Sequence, residues 1–392
     1  MLLSRCGTRK AGCRDFMNGK YPGSIKNRSL RYSMPPPDYS MMELPSTGHF
    51  RNLPAMLDDI LARISQGDNL SMEEMAGVID LVMQGQCDDQ QVASLLLGLR
   101  EKGETVDEVA GAAAAMRRHM TPIRSSRDQL VDTCGTGGDG SGTFNISTAA
   151  ALVTAAAGVA VAKHGNRKIT SKTGSADVLA ELGVNVEAPV EVVEHCLDEL
   201  GICFCFAPHL HPSMKHVAAV RRSLGVPTIF NMLGPLCNPA GASYQLLGVG
   251  RAELRGLLAE ALALLGVGRA LVVCGDDGLD EITLNGITQV SLVEDGATRQ
   301  QQWSAEDFGL QSGSLESLEV GDAVESAAMI QSVLDGQPGP ARDIVVLNAA
   351  AAIWLATPGS SQEAAARQAN DAIENGAALE LLGQLARLSK GT

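Results

Sequence analysis

From residue 128 onward the chain repeats one unit: a short apolar run, a loop rich in glycine or charge, then a segment with helical patterning. The apolar runs are QLVDTC (129–134), VAVAK (159–163), ICFCFA, YQLLGVG and ALVVCG, and they alternate with ISTAAALVTAAAG, ADVLAELG and AELRGLLAEALALLG. Runs this short and continuous are strands buried on both faces. Strands that alternate with helices pair in parallel, because each crossover carries a helix. The expected class is therefore α/β, with a mostly parallel central sheet flanked by helices. Aromatics at 3% of the chain argue the same way, since the strands of an all-β sandwich would call for more of them. The tail, AARQANDAIENGAALELLGQLARL, reads as helix, and no internal repeat is visible.

Upstream of this region the period changes. MLDDILARI places apolar residues at 56, 57, 60, 61 and 64, one face of a helix. Ser71 with Glu74 three positions on is a capping-box pattern, and DDQQVASLLLGLREKG and TVDEVAGAAAAMRRHM continue the helical series. The expected organisation is a basic extension over 1–52, a helical domain over 53–125 and an α/β catalytic domain over 126–392. The apolar faces at Leu95, Leu96, Leu97 and Ala112–Ala115 have two readings: they serve a homodimer, or they close the small domain. The extension carries Arg5, Arg9, Lys10, Arg14, Lys20, Lys26, Arg28 and Arg31, with a Pro35-Pro36-Pro37 run. It reads as a disordered product of an upstream start, with Met41 or Met56 as alternative initiators, or as an organelle transit peptide. The first reading leaves the protein cytoplasmic; the second directs it to a plastid.

The formal net charge of -14 weighs against a nucleic-acid partner, so an anionic substrate would need a locally positive site. Nine cysteines, mostly inside apolar runs, read as reduced buried thiols and not as a disulfide framework. No stretch reaches the ~20 bulky apolar residues that a membrane span requires, so no membrane partner is expected.

Residues 135–142 read Gly-Thr-Gly-Gly-Asp-Gly-Ser-Gly. By letters, Gly135, Gly137 and Gly140 satisfy a dinucleotide fingerprint. That motif also needs an acid at the end of the next strand, where this chain has Lys163-His164. No Gly-Lys-Ser/Thr closes the loop, which excludes the Walker pattern. What remains is a loop whose backbone can approach an anion closely, followed by Asn145-Ile146-Ser147-Thr148 as the cap of a helix whose N-terminus favours phosphate. A second loop supplies Lys163, Arg167, Lys168 and Lys172 as a local positive field, with Ser175 before another helix. The run 275–281, Gly-Asp-Asp-Gly-Leu-Asp-Glu, follows a strand and puts Asp280 and Glu281 where both can face a ligand. Paired carboxylates suit magnesium bridging to substrate phosphates. Cys203 and Cys205 with His209, His211 and His216 fit no standard zinc spacing, and alternation of the two cysteines along a strand is the ordinary place for buried thiols.

Four stretches together resemble the anthranilate phosphoribosyltransferase family: GTGGD (135–139) with NIST (145–148), KHGNR (163–167) with GSAD (174–177), VRRSLG…TIFNMLGPLCNPA (220–240), and LDEIT (279–283). The likeness runs from about Met56 to the C-terminus. It implies a small helical domain beside a large α/β domain, as in pyrimidine-type nucleoside phosphorylases. The implied reaction is transfer of the phosphoribosyl group from phosphoribosyl pyrophosphate to the amine of anthranilate, in tryptophan biosynthesis. The resemblance further implies that Gly135, Gly138, Asp139, Thr143, Asn145, Ile146, Ser147, Thr148, Lys163, Ser171 and Ser175 hold phosphoribosyl pyrophosphate. Gly135, Asn166 and Arg221 would meet anthranilate. Ser147, Asp280 and Glu281 would bind magnesium, as two ions. No residue is implied as a covalent nucleophile, and His164 either orients a substrate or is structural. Two positions depart from the family pattern: Pro227 replaces an Arg common among members, and Lys-Ile-Thr follows Arg167 where small residues are usual. A nucleoside phosphorylase of this fold would need no paired metal carboxylates, so LDEIT counts against it; a nucleic-acid-binding relative would need broad basic surfaces.

Overall fold

A computed structural model describes residues 53–168 and 172–391. The basic extension and Ser171 lie outside them. Four helices come first: α1 (Leu53–Ser65), α2 (Met72–Met83), α3 (Asp89–Lys102) and α4 (Val106–Arg118). The last three each start at a full capping box, Ser71/Glu74, Asp88/Gln91 and Thr105/Glu108, in which side chain and backbone satisfy each other's free groups. Glu108 does more than cap. It is fully buried, accepts from the Leu70 N–H and pairs with Lys102 at 2.7 Å, which ties α4 to the turn before α2.

The α/β part follows as β1 (Val131–Gly135), α5 (Ile146–Ala156), β2 (Val161–Gly165), α6 (Ser175–Glu181), α7 (Val190–Leu200), β3 (Ile202–Phe206), α8 (Ala207–Leu210), α9 (Lys215–Leu224), α10 (Phe230–Leu236), β4 (Tyr244–Gly248), α11 (Glu253–Leu264) and β5 (Arg269–Gly275). A hairpin of β6 (Thr288–Glu294) and β7 (Ala297–Trp303) comes next, then α12 (Ala323–Leu334), α13 (Pro340–Ala356), α14 (Gln362–Glu374) and α15 (Ala377–Leu388). The seven strands lie in the order β3-β2-β1-β4-β5-β6-β7. The first five are parallel, and the hairpin adds two antiparallel strands at one edge. Its turn is Asp295-Gly296, with φ of 53° and 72°, the left-handed pair that a two-residue hairpin loop requires.

Alternation along the strands splits the core. Leu246, Leu271 and Val273 face a layer built with α5 and the C-terminal helices α12 to α15. Leu247, Val272 and Cys274 face the other layer, where α9, α10 and α11 merge with α1 to α4 into one apolar cluster. Leu95, Leu96 and Ala112–Ala115 are buried in that cluster, so they close the helical bundle within the chain. All seven cysteines among the described residues are free thiols, and six are buried. Among these residues no helix is long and apolar enough to cross a membrane.

Parallel strands send the loops that follow them to the same edge of the sheet. The loops after β1, β2, β4 and β5 therefore meet there, with β1 beside β4 at the point where strand order reverses, the usual ligand crevice of open α/β sheets.

Candidate active site

The glycine loop leaves β1 at Gly135, which is in register with Gly248 at the end of β4. The acidic loop crosses over both: Gly248 must lack a side chain, and one at Gly135 would displace the Asp280 carboxylate. A Cβ on Gly248 would lie 1.5 Å from the Asp280 carbonyl oxygen, and one on Gly135 would lie 2.5 Å from Asp280 Oδ2. Gly137 and Gly138 take positive φ, and the Gly137 N–H donates to Asp280 Oδ2 at 3.0 Å. Asp139 accepts from the Asp280 N–H at 3.5 Å. Ser141 and Thr143 share a hydroxyl contact of 3.1 Å, and Thr143 is bridged to Glu319, so the outgoing arm of the loop is strapped to residues 318–320.

Asn145 sits at the start of α5 but does not cap it, contrary to the expectation from sequence. Its side-chain oxygen is already taken, accepting from Thr173 Oγ at 2.7 Å and from Ser326 Oγ at 3.0 Å. It joins the two loops instead. Ile146 turns its side chain into the core, and its N–H donates to the Phe144 carbonyl. The Ser147 N–H donates to Glu281 Oε1 at 3.0 Å, and Thr148 keeps a buried hydroxyl with no protein partner at the α5 N-terminus.

The strand after the helix begins and ends two residues later than the expected 159–163, so His164 joins Lys163 in β2. Adjacent strand residues face opposite ways. Lys163 is 3% exposed and donates to the Thr133 carbonyl at 2.5 Å and to Ser147 Oγ at 3.2 Å. His164 points to the far side, where its Nδ1 donates to the Gly234 carbonyl at 3.1 Å and its Nε2 meets His211 Nε2 at 3.2 Å. Burial drives both rings to the neutral form, His164 to about 3 and His211 to about 4. With both ring nitrogens of His164 engaged inside the protein, its role here is structural.

Of the four cations expected in the second loop, one is drawn off by acids. Arg167 is paired with Asp177 at 3.2 Å and Glu187 at 2.7 Å, because α6 begins within reach of the loop. Lys163 works from beneath the site, and Lys172 reaches the glycine loop, its Nζ 2.8 Å from where a Gly142 Cβ would sit. Asn166 holds the loop closed: its side chain accepts from the Arg167 N–H, and its carbonyl accepts from the Ala176 N–H. The Ser175 hydroxyl donates weakly to the same carbonyl, at 3.5 Å. Arg221, near the end of α9, reaches Asn231 Oδ1 at 3.4 Å and lies over the Phe230 ring at 5.6 Å, on the element whose Gly234 carbonyl meets His164. Burial lowers its pKa, which leaves a strong, partly desolvated donor. Pro227 is exposed between α9 and α10.

Three carboxylates thus crowd one spot. Burial first, and the charge of Asp139 next, push Asp280 up to about 7. Burial and then Asp280 push Glu281 well above its usual range, with Lys163 opposing. Burial likewise lowers Lys163. Such a group is short of positive charge and turned toward the loop that leads to the α5 N-terminus. Among the described residues no three His, Cys, Asp or Glu side chains form a cage that could hold a metal unaided. Magnesium does not ask for one: it is held by one or two carboxylates together with water and substrate phosphates, and the hard oxygen donors here fit that mode.

Residues 127–379 match the glycosyl transferase family a/b domain, and residues 58–120 match the helical bundle domain of the same family. The anthranilate phosphoribosyltransferase of Rhodopirellula baltica is 50% identical over 328 residues, which cover 84% of this chain and 96% of the relative. The chain belongs to the anthranilate phosphoribosyltransferase family. It is a glycosyltransferase that moves a phosphoribosyl group onto anthranilate. The crystal structure of the Thermus thermophilus anthranilate phosphoribosyltransferase superposes with a TM-score of 0.80 at 43% identity, covering 85% of this chain and 99% of that one. The Saccharomyces cerevisiae enzyme, solved in complex with phosphoribosyl pyrophosphate and Mg, gives 0.79 at 28% identity over 86% and 99%. A second yeast structure, with 4-fluoroanthranilate, gives 0.77 at 27% over the same shares.

Sequence reasoning missed the residues that hold this site from below. Ser326 on α12 accepts from the Asn145 N–H and donates to its side chain, and Asn348 on α13 bonds the backbone at Ile282. Asn348 stands alone among apolar residues in VVLNAAAAI, and that break in the pattern was the available signal; Ser326, on a helix that also carries Glu325, Gln331 and Ser332, gave none.

Proposed function

We propose that this site binds phosphoribosyl pyrophosphate with magnesium between the glycine loop and the 163–175 loop, and that anthranilate attacks ribose C1 from the side of Asn166 and Arg221. The observation that carries the reading is the convergence of Asp139, Asp280 and Glu281 where the glycine loop meets the N-terminus of α5. The positive end of the α5 dipole, with the Thr148 hydroxyl, Asn145, Thr143 and the Lys163 ammonium, suits phosphate and ribose oxygens. Gly135 and Gly138 keep the floor of the loop clear for the substrate, and Ser175 with Ser171 would serve the far phosphate.

Ser147, Asp280 and Glu281 are the proposed metal-binding residues. Two ions are proposed because the two carboxylates have different neighbours, Asp280 the Gly137 N–H and Glu281 the Ser147 N–H. When bound, magnesium neutralises charge on the departing pyrophosphate. The chain itself supplies position. The loops fix ribose C1 against the aniline nitrogen, and the Arg221 guanidinium takes the anthranilate carboxylate. The C1–N bond forms as the C1–O bond to pyrophosphate breaks. The nitrogen loses its proton late, so no strong base is needed.

The deciding experiment follows anthranilate fluorescence with phosphoribosyl pyrophosphate, with and without magnesium. Consumption only with both supports the reading. Consumption that magnesium does not affect would overturn the metal assignment, and none under any condition would overturn the site assignment.

A further inference from the structure

The segment 276–287, between β5 and β6, contains no helix or strand. Even so, Leu279 and Ile282 are buried in the core, while between them Asp280 turns to the glycine loop and Glu281 to the N-terminus of α5. Two neighbouring carboxylates that repel each other keep this orientation only if the backbone on both sides is fixed. On one side the Leu279 carbonyl accepts from the Gly275 N–H at 2.9 Å. On the other stands Asn348.

Asn348 is fully buried in the middle of α13, in a run of alanines and branched aliphatics. Its Oδ1 accepts from the Ile282 N–H at 2.9 Å, and its Nδ2 donates to the Ile282 carbonyl at 2.9 Å. The second Nδ2 proton goes to the Ile344 carbonyl one turn back, also at 2.9 Å. One amide thus does for Ile282 what a neighbouring strand does in a ladder. Its location is otherwise unfavourable: Asn is a poor interior helix residue, and a buried amide is costly unless fully bonded. Packing alone would favour Leu. The Ile282 N–H lies in the same rigid peptide plane as the Glu281 carbonyl and Cα, so fixing one fixes the direction from which the Glu281 side chain departs.

We propose that Asn348 is a positioning residue for the metal-binding pair, holding Glu281 toward the N-terminus of α5 and Asp280 toward the glycine loop through the backbone of Ile282. This rests on the assignment of those carboxylates to magnesium. The test uses Asn348→Leu in the full-length protein, with Ile353→Ala, a fully buried change on the same helix, as a stability control. Manganese binding in the presence of phosphoribosyl pyrophosphate is read from the free-ion paramagnetic resonance signal, and hydrogen exchange is followed over 279–284.

The expected result is manganese affinity weaker by about tenfold, the low end for loss of a partner that orients a metal ligand. Exchange over 279–284 should be faster, and the KM for anthranilate should be unchanged. The control should lose thermal stability and keep its affinity. A folded Asn348→Leu protein with wild-type manganese affinity overturns the proposal, as does a control that loses affinity equally. Should Asn348→Leu fail to fold, Asn348→Ser is measured against the same two outcomes. Wild-type protein that binds no manganese with substrate present refutes the underlying metal assignment instead.

Discussion

Replacing Gly135 by alanine tests whether the acidic loop and the glycine loop work as one device. The added Cβ would sit 2.5 Å from Asp280 Oδ2 and 3.2 Å from its Cγ. Carbon–oxygen contacts settle near about 3.3 Å, so the carboxylate must retreat by roughly 0.8 Å. The φ of Gly135 is not in the left-handed region, so alanine brings no backbone strain. Two effects on stability then nearly cancel: reduced freedom of the unfolded chain adds about 0.4–1 kcal/mol, and loss of the Gly137–Asp280 hydrogen bond removes about 1 kcal/mol. Catalysis has no such compensation. A displacement near 1 Å of a positioning group costs on the order of 100-fold. The expected Gly135→Ala protein melts within a few degrees of wild type and loses about two orders of magnitude in turnover, with a raised magnesium requirement, measured by anthranilate fluorescence. A variant with wild-type turnover at every magnesium concentration would refute the coupling. One that lost anthranilate affinity alone would show that the methyl group blocks substrate instead.

Asp280→Asn with Glu281→Gln should abolish turnover while circular dichroism and the melting transition persist; surviving magnesium-dependent activity would sink the metal assignment. Arg221→Ala should raise the KM for anthranilate by roughly ten- to a hundredfold, the loss of a charge-assisted carboxylate contact, and leave that for phosphoribosyl pyrophosphate unchanged in steady-state assays. Acid should destabilise the fold through the histidine pair. His164 and His211 titrate near 3 and 4 when folded against an ordinary 6.5, so the unfolded chain binds more protons below 6.5. The stability they contribute is present above 6.5 and is lost as pH falls toward those values, up to about 3 kcal/mol for His211. His211→Leu should flatten that part of the melting-temperature profile between pH 6.5 and 4, and an unchanged slope would contradict it.

The alternation of strands and helices was legible because strands buried on both faces appear as unbroken apolar runs such as ALVVCG. The hairpin at the sheet edge was not, although Asp295-Gly296 marks its turn, because ATRQQQW is too polar to register as a strand. The loops and the Asp280-Glu281 pair could be named from residue types, since glycine and carboxylates carry their chemistry openly. Pairing could not. Nothing near Arg167 in the chain announces Glu187, twenty positions on, and nothing near Asn145 announces Ser326. The cap expected of Asn145 failed for that reason: local propensity yielded to partners supplied by distant helices. Asn348 shows the same limit, one polar letter among alanines whose purpose exists only once α13 lies under the acidic loop.

The shared apolar cluster between α1–α4 and one face of the sheet has a consequence for how this protein can be cut or borrowed. Family matching draws a seam between 120 and 127, yet hydrophobic burial runs straight across it. A chain started at residue 126 would present Leu247, Val272 and the inner faces of α9–α11 to water, an apolar surface of the kind that drives aggregation. The two segments match separate domain models yet share one apolar core. A chimera made at that seam would have to carry over the complementary faces together with the joint.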